Sequence, residues 1–122
     1  MLARTLRLAQ RRTFAAMASQ TPMEDAIRSK VTETLAPTSL EIFNDSHKHS
    51  HHQAMQGVTS KETHFRVNIV SDSFKGKMQP VRHRLVYTLL KDELAQEGGI
   101  HALQLKTRTT EEEEKAQAKA AS

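Results

Sequence analysis

Apolar and polar positions along the chain sort into five elements. Met23, Ile27, Val31 and Leu35 recur every four residues, the spacing of a helix with one buried face. Thr21 as cap, Pro22 at the first helical position and Glu24 as the reciprocal acid of a capping box predict its start, and Pro37 its end. Leu40 and Ile42 share a face in a short run that ends at Phe43, a first strand. Alternation is clearest from His64 to Val70. Phe65, Val67 and Ile69 point one way and His64, Arg66 and Asn68 the other, as in a strand with one buried and one solvated face. Ser71 to Lys77 turns the chain. Val81, Leu85 and Leu89, with Val86, Leu90 and Leu94 one turn around, make a wide apolar stripe. Arg82, Arg84, Lys91, Asp92 and Glu93 fall largely outside it. This predicts a second amphipathic helix, ended by Gly98-Gly99. Ile100 to Lys106 then forms a last strand, with Leu103 and Leu105 on one face. Helix, strand, strand, helix, strand describes one small α+β domain over residues 21–108.

Composition changes the picture at the ends. The chain has 122 residues, of which 37% are hydrophobic and 4% aromatic, so the core is modest and part of the chain lies outside it. Four of the 18 basic residues, Arg4, Arg7, Arg11 and Arg12, lie among the first twenty, and the 14 that remain balance the 14 acids. The formal charge of +4 therefore belongs to the N-terminus and not to the domain. Residues 1–20 carry no acid and place Leu2, Leu6 and Ala9 near one helical face, the pattern of a mitochondrial transit peptide. Arg12-Thr13-Phe14-Ala15 resembles a matrix-protease cleavage site, which points to the mitochondrial matrix. Met17 offers a second start without the leader. Residues 109–122, with four consecutive glutamates and no apolar face, read as a charged, disordered tail. No apolar run approaches the roughly 18 residues of a membrane span, so no membrane insertion is expected.

Candidate chemistry rests on histidine. There is no cysteine, which removes disulfides, thiolate nucleophiles and thiolate metal ligands of this chain's own. His47, His49, His51 and His52 fall within six residues. Neutral imidazole binds zinc, copper, nickel or iron, and the alternative for this segment is a solvated polar loop. His64 lies on the polar face of its strand and reads as an exposed residue. His101 shares the parity of Leu103 and Leu105, which suits an inert, hydrogen-bonded histidine at the rim of the core; its place near two glycines argues instead for the open end of the last strand, accessible to a partner. Lys61, Arg66, Lys75, Lys77, Arg82, Arg84 and Lys91 form a local basic patch against Glu62 and Asp72. It suits phosphate, a glutathione carboxylate or an acidic protein face. Gly76-Lys77 lacks the further glycine and the Ser/Thr of a phosphate loop. Ser71-Asp72-Ser73 has no base oriented on a nucleophile, so no enzyme is expected.

Asn44-Asp45-Ser46, Thr63-His64-Phe65, Val70-Ser71-Asp72-x-Phe74-x-Gly76, Arg82-His83-Arg84-Leu85-Val86-Tyr87 and Gly99-Ile100-His101-Ala102-Leu103 occur together in this order. In that combination the chain resembles the BolA family over about residues 22–108, and with its leader it is most similar to mitochondrial, fungal-type members. The resemblance implies an αββαβ fold related to class II KH domains, with a mixed three-stranded sheet and helices packed on one face. It implies a non-enzymatic iron–sulfur assembly factor. Its partner would be a monothiol glutaredoxin with glutathione, and a shared [2Fe–2S] cluster would be passed to iron–sulfur client proteins. The ligands implied for this chain are His101 and a loop histidine, best matched by His49, with His47, His51 and His52 as alternatives. Lys75, Lys77, Arg82, His83 and Arg84 would contribute to docking. Histidine in place of thiolate raises a cluster's reduction potential. Because imidazole binds only when neutral, cluster retention should weaken as pH falls through histidine's range. The competing reading is a KH-like nucleic-acid module or transcriptional regulator. The neutral domain and the missing Gly-x-x-Gly clamp weigh against it.

Overall fold

In a computed structural model, residues 19–46 and 62–121 are described. The leader expected over residues 1–20 lies almost wholly outside them, as do His47, His49, His51 and His52. The elements are α1 (Pro22–Leu35), β1 (Ser39–Asn44), β2 (His64–Val70), a 3-10 turn (Asp72–Phe74), α2 (Gln79–Leu89), α3 (Lys91–Ala95), β3 (Ala102–Arg108) and α4 (Thr110–Ala121). The sheet order is β1-β2-β3. β1 runs antiparallel to β2, with Ile42 opposite Val67. β3 runs parallel to β2, with His64 opposite Ala102 and Val67 opposite Leu105. The mixed three-stranded α+β sheet expected from the sequence is therefore present.

The core sits between the sheet and the helices. Ile27, Val31, Val67, Ile69, Phe74, Val86 and Leu90 are almost completely buried, and Leu40, Ile42, Leu103 and Leu105 pack against them. All four apolar residues of the α1 stripe are buried. The 3-10 turn adds Phe74 to the core. It is capped by Ser71, whose hydroxyl accepts the Ser73 N–H and donates to the Leu35 carbonyl at the end of α1. Gly76, at φ 75°, completes the turn.

Several local expectations are corrected by tertiary contacts. Thr21 makes no side-chain cap on α1. The cap comes from Glu62, 38 residues after Glu24, whose carboxylate accepts the N–H groups of Met23 and Glu24 at 3.1 Å each. A full negative charge on the first free amides is a stronger cap than a hydroxyl. The second helix is not continuous to the glycines. It breaks at Leu90 (φ −102°, ψ 17°) and α3 ends at Ala95. The last strand starts at Ala102 rather than Ile100 and runs on to Arg108.

Arg82 lies inside the structure, not outside the apolar stripe. It is one turn from Val86 and two from Leu90, so it points inward with them. Its guanidinium donates to the carbonyls of Lys77 and Thr107 and to both oxygens of Glu112. Val81 is left exposed instead. It lines an open apolar groove with Thr34, Arg84, Leu85, Thr88 and Leu89. Glu93 is also buried and accepts from Lys30 at 2.8 Å, which ties α3 to α1.

The segment expected to be a disordered tail is helical. Thr109 and Glu112 form a reciprocal capping box: Glu112 N–H donates to Thr109 Oγ1, and Thr109 N–H to Glu112 Oε1. Glu112 then binds Arg82, and Glu113 binds Arg108 at 3.0 Å. α4 has no buried residue. Charge and capping, rather than an apolar face, hold it to the domain.

Candidate metal-binding site

The site is built around Thr63, which is buried and immediately precedes β2. Its carbonyl accepts the N–H of His101 at 2.7 Å and that of Ala102 at 3.0 Å. This double contact starts the parallel pairing of β3 on β2. The chain reaches it along a constrained path. Gly98 takes φ 76°, and Gly99 passes so close to α3 that an added Cβ would lie 2.3 Å from the Glu93 carbonyl oxygen. Ile100 is buried, and its N–H donates to that same carbonyl. His101 follows at a bend before the strand begins, and its side chain is exposed. The bend takes it off the parity it would share with Leu103 and Leu105.

His64 stands across from it. It opens β2, half buried, on the sheet face opposite the helices. Its backbone N–H donates to Ser46 Oγ, which also accepts the Thr63 N–H. Its ring nitrogen Nδ1 lies 2.9 Å from Thr63 Oγ1. The imidazoles of His64 and His101 have centroids 5.6 Å apart and planes inclined at 48°. His64, with Asp45, Phe65, Arg66, Ala102, Leu103 and Gln104, lines a depression of about 240 Å³. Arg66 pairs with Asp45 on its wall and lies over the Phe43 ring. The donor set is two imidazoles, which suits iron, copper, nickel or zinc. Two imidazoles by themselves do not complete a metal's coordination sphere. No group of three or more His, Cys, Asp or Glu side chains suited to hold a metal occurs among the described residues.

His101 is thus where the sequence led one to expect, exposed at the open end of a strand. The candidate loop ligand His49, and His47, His51 and His52, lie outside the described residues. They belong to the segment that departs after Ser46, whose hydroxyl touches the backbone of Thr63 and His64. Strand parity marks His64 as solvated. The parity is right, but it cannot report which residue of another strand lies alongside. The five residues expected to dock a partner do not act alike. Arg82 is buried in the ion pair with Glu112. Lys75 is exposed beside Asp72, and Lys77 Nζ donates to the Ser73 carbonyl. His83 is half buried and Arg84 is exposed. Tyr87, one turn further along α2, donates its hydroxyl to the Leu103 carbonyl at 2.9 Å, so α2 lies alongside the start of β3.

Comparison with known proteins agrees with this architecture. A family model described as BolA-like protein matches residues 31–112. The UV-induced protein uvi31 of Schizosaccharomyces pombe is 48% identical over 104 residues, 84% of this chain and 96% of that protein. SufE-like protein 1, chloroplastic/mitochondrial, of Arabidopsis thaliana is 44% identical over 88 residues, 70% of this chain but only 23% of that longer protein. The solved structure of BolA1 from Arabidopsis thaliana superposes with a TM-score of 0.63 at 43% identity, covering 72% of this chain and 92% of that one. With the helices, the mixed sheet and the His101 motif in place, the chain belongs to the BolA-like family.

Proposed function

We propose that this protein is a non-enzymatic carrier that shares a [2Fe–2S] cluster with a monothiol glutaredoxin and glutathione and passes it to iron–sulfur client proteins. The observation that carries this reading is His101. An exposed imidazole is held by a buried backbone network on a chain with no cysteine. Such a ligand is fixed in position yet insufficient by itself, so it needs a partner that brings thiolates. The cluster is cargo. The chain's own residues orient an imidazole towards it and present a surface to the partner. The relative whose name is SufE-like protein 1, chloroplastic/mitochondrial, supports an organellar setting. The arginine-rich leader supports the mitochondrial matrix.

The exposed cations Lys75 and Arg84, with half-buried Lys77 and His83, form the docking surface in this reading. They complement the carboxylates of glutathione or an acidic partner face. Arg82 contributes only through the fold, because its guanidinium is already committed to Glu112.

The test is a titration of this protein into a cluster-loaded monothiol glutaredoxin, followed by visible absorption and circular dichroism. A new heteromeric spectrum, lost with His101→Ala, is the expected result. Unchanged spectra on adding the wild-type chain would refute the proposal.

A further inference from the structure

We infer that the groove between α1 and α2 is a docking site for an amphipathic helix of another protein, one that carries a carboxylate beside its apolar face to meet Arg84. The site is distinct from the His101 end of the sheet. It does not rest on the function proposed above, because a helix can bind there whether or not a cluster is shared.

The groove follows from how α2 is turned. Arg82, Val86 and Leu90 point into the core. Val81, Leu85 and Leu89, each one position earlier, therefore form a second stripe about 100° around the helix. Thr34 of α1, with Arg84 and Thr88, completes a groove of about 560 Å³. Val81 is exposed, and Leu85 and Leu89 are only half buried. Among the described residues, the large apolar side chains left exposed are Met78, Val81 and Tyr87, all on α2 or its N-cap. An apolar stripe at i, i+4 and i+8 between two helices is the geometry into which a third helix lays its own apolar face. Tyr87 lies on the opposite flank of α2, with its hydroxyl on the Leu103 carbonyl of β3. The groove and the His101 end of β3 are thus reached from different sides.

Charge selects the occupant. From Ser73 to Lys91 the chain carries Lys75, Lys77, Arg82, Arg84 and Lys91 and no acid. Arg82 is committed to Glu112. Arg84 lines the groove, is exposed, and forms no ion pair among the described residues. A carboxylate on an incoming helix would pair with it at a site partly shielded from water, where the attraction is stronger than on open surface. The chain's own segments do not fit. Residues 1–20 carry four arginines and no acid, and residues 47–61 carry no acid. α4 is acidic but has no apolar face, and the apolar stripe of α1 is buried in the core. Two copies meeting through α2 would set Arg84 against Arg84. The complement is a helix of a different protein, apolar on one face and acidic beside it.

The probes are two synthetic helical peptides of about four turns. Both place leucine at every third or fourth position, and one carries glutamate beside that face where the other carries lysine. Each is titrated into the full chain, with affinity read by fluorescence anisotropy and the site mapped by amide NMR. The acidic peptide is expected to bind saturably and to shift Thr34, Val81, Leu85 and Leu89, with the lysine peptide weaker by about tenfold or more. Arg84→Glu should reverse that preference, and Val81→Glu should abolish binding of both peptides. Both side chains are exposed, so the variants keep the fold, which their amide spectra check. Equal affinity for the two peptides, or shifts that map elsewhere, overturns the inference.

Two further measurements address other occupants. Shifts of the same residues on concentrating the protein without peptide, with a dimer in analytical ultracentrifugation, would make a second copy the occupant and overturn the inference. Titration into a cluster-loaded monothiol glutaredoxin is expected to give the same spectrum for Val81→Glu as for the wild-type chain. Loss of a wild-type spectrum in Val81→Glu would merge the groove with the partner surface proposed above and overturn a distinct site.

Discussion

Arg82 on α2 and Glu112 on α4 form a two-pronged ion pair with contacts of 2.7 and 3.1 Å, and this pair binds the C-terminal helix to the domain. The arginine side chain is 7% exposed and the glutamate 45%. The interaction is thus a buried cation reaching out to a carboxylate at the surface. Arg82 also donates to the backbone of Lys77 and Thr107, so one side chain joins the turn before α2, the end of β3 and α4. Arg82→Met is expected to lower stability by about 2–3 kcal/mol, because several charge-assisted hydrogen bonds vanish while the stem's packing is largely kept. Urea unfolding measures it. Glu112→Gln should cost less, since the two carbonyls still accept from Arg82. A larger loss for Glu112→Gln than for Arg82→Met would contradict this account.

The same carboxylate confers a pH dependence. The Arg82 guanidinium and then the Thr109 N–H hold Glu112 at a pKa of about 2, below its ordinary 4.5. A depressed folded pKa means that the contribution is fully present above about 4.5 and disappears as pH falls towards about 2. Stability should therefore decline through that window, with α4 helicity falling in step, and Glu112→Gln should flatten part of the slope. Acid titrations followed by far-ultraviolet circular dichroism on both proteins check it.

Gly99→Ala tests the path to His101. The new methyl would meet the Glu93 carbonyl at 2.3 Å, a backbone atom that cannot turn aside. The α3–β3 connection must shift, and with it the Ile100 and His101 amides. The expected outcome is a loss of roughly 1–3 kcal/mol, as for an overpacked site, together with weakened metal binding. Gly98→Ala, where space is open but φ is 76°, should lower stability while affecting metal binding less.

Ala36 ends α1 in the left-handed region at φ 42° and ψ 57°, directly before Pro37. A side chain there is strained, and glycine is the usual occupant of such a helix end. Ala36→Gly is expected to raise stability by about 0.5–1 kcal/mol. A fall in the urea midpoint would show that the strain is absent.

His101→Ala should leave the fold intact, since the backbone N–H to Thr63 remains and the side chain is exposed. Unfolding midpoints within about 0.5 kcal/mol of wild type are expected for such a surface change. A large destabilisation would recast His101 as a structural residue.

The elements that were legible in the sequence are those whose period records burial against one neighbour. The α1 stripe and the Phe65, Val67, Ile69 face are buried as their spacing implies. Where the neighbour is distant, the local reading fails. Thr21 looked like the cap of α1, but Glu62 arrives from 38 positions beyond Glu24. The Thr109–Glu112 capping box was present in the sequence of the tail. A helix there is hidden from sequence periodicity because α4 lacks an apolar face, and its anchor, Arg82, is 30 residues away in α2.

By itself, the sequence determined the order of the core elements, their buried faces and the absence of cysteine. These follow from periodicity and residue chemistry, which act over a few neighbouring residues. The tertiary structure alone decided that Arg82 is internal, that the tail is a docked helix, and that His64 stands 5.6 Å from His101. The last of these depends on the parallel register that sets Ala102 beside His64. Register between strands separated by two helices comes from packing the whole core at once, and no local spacing of residues encodes it.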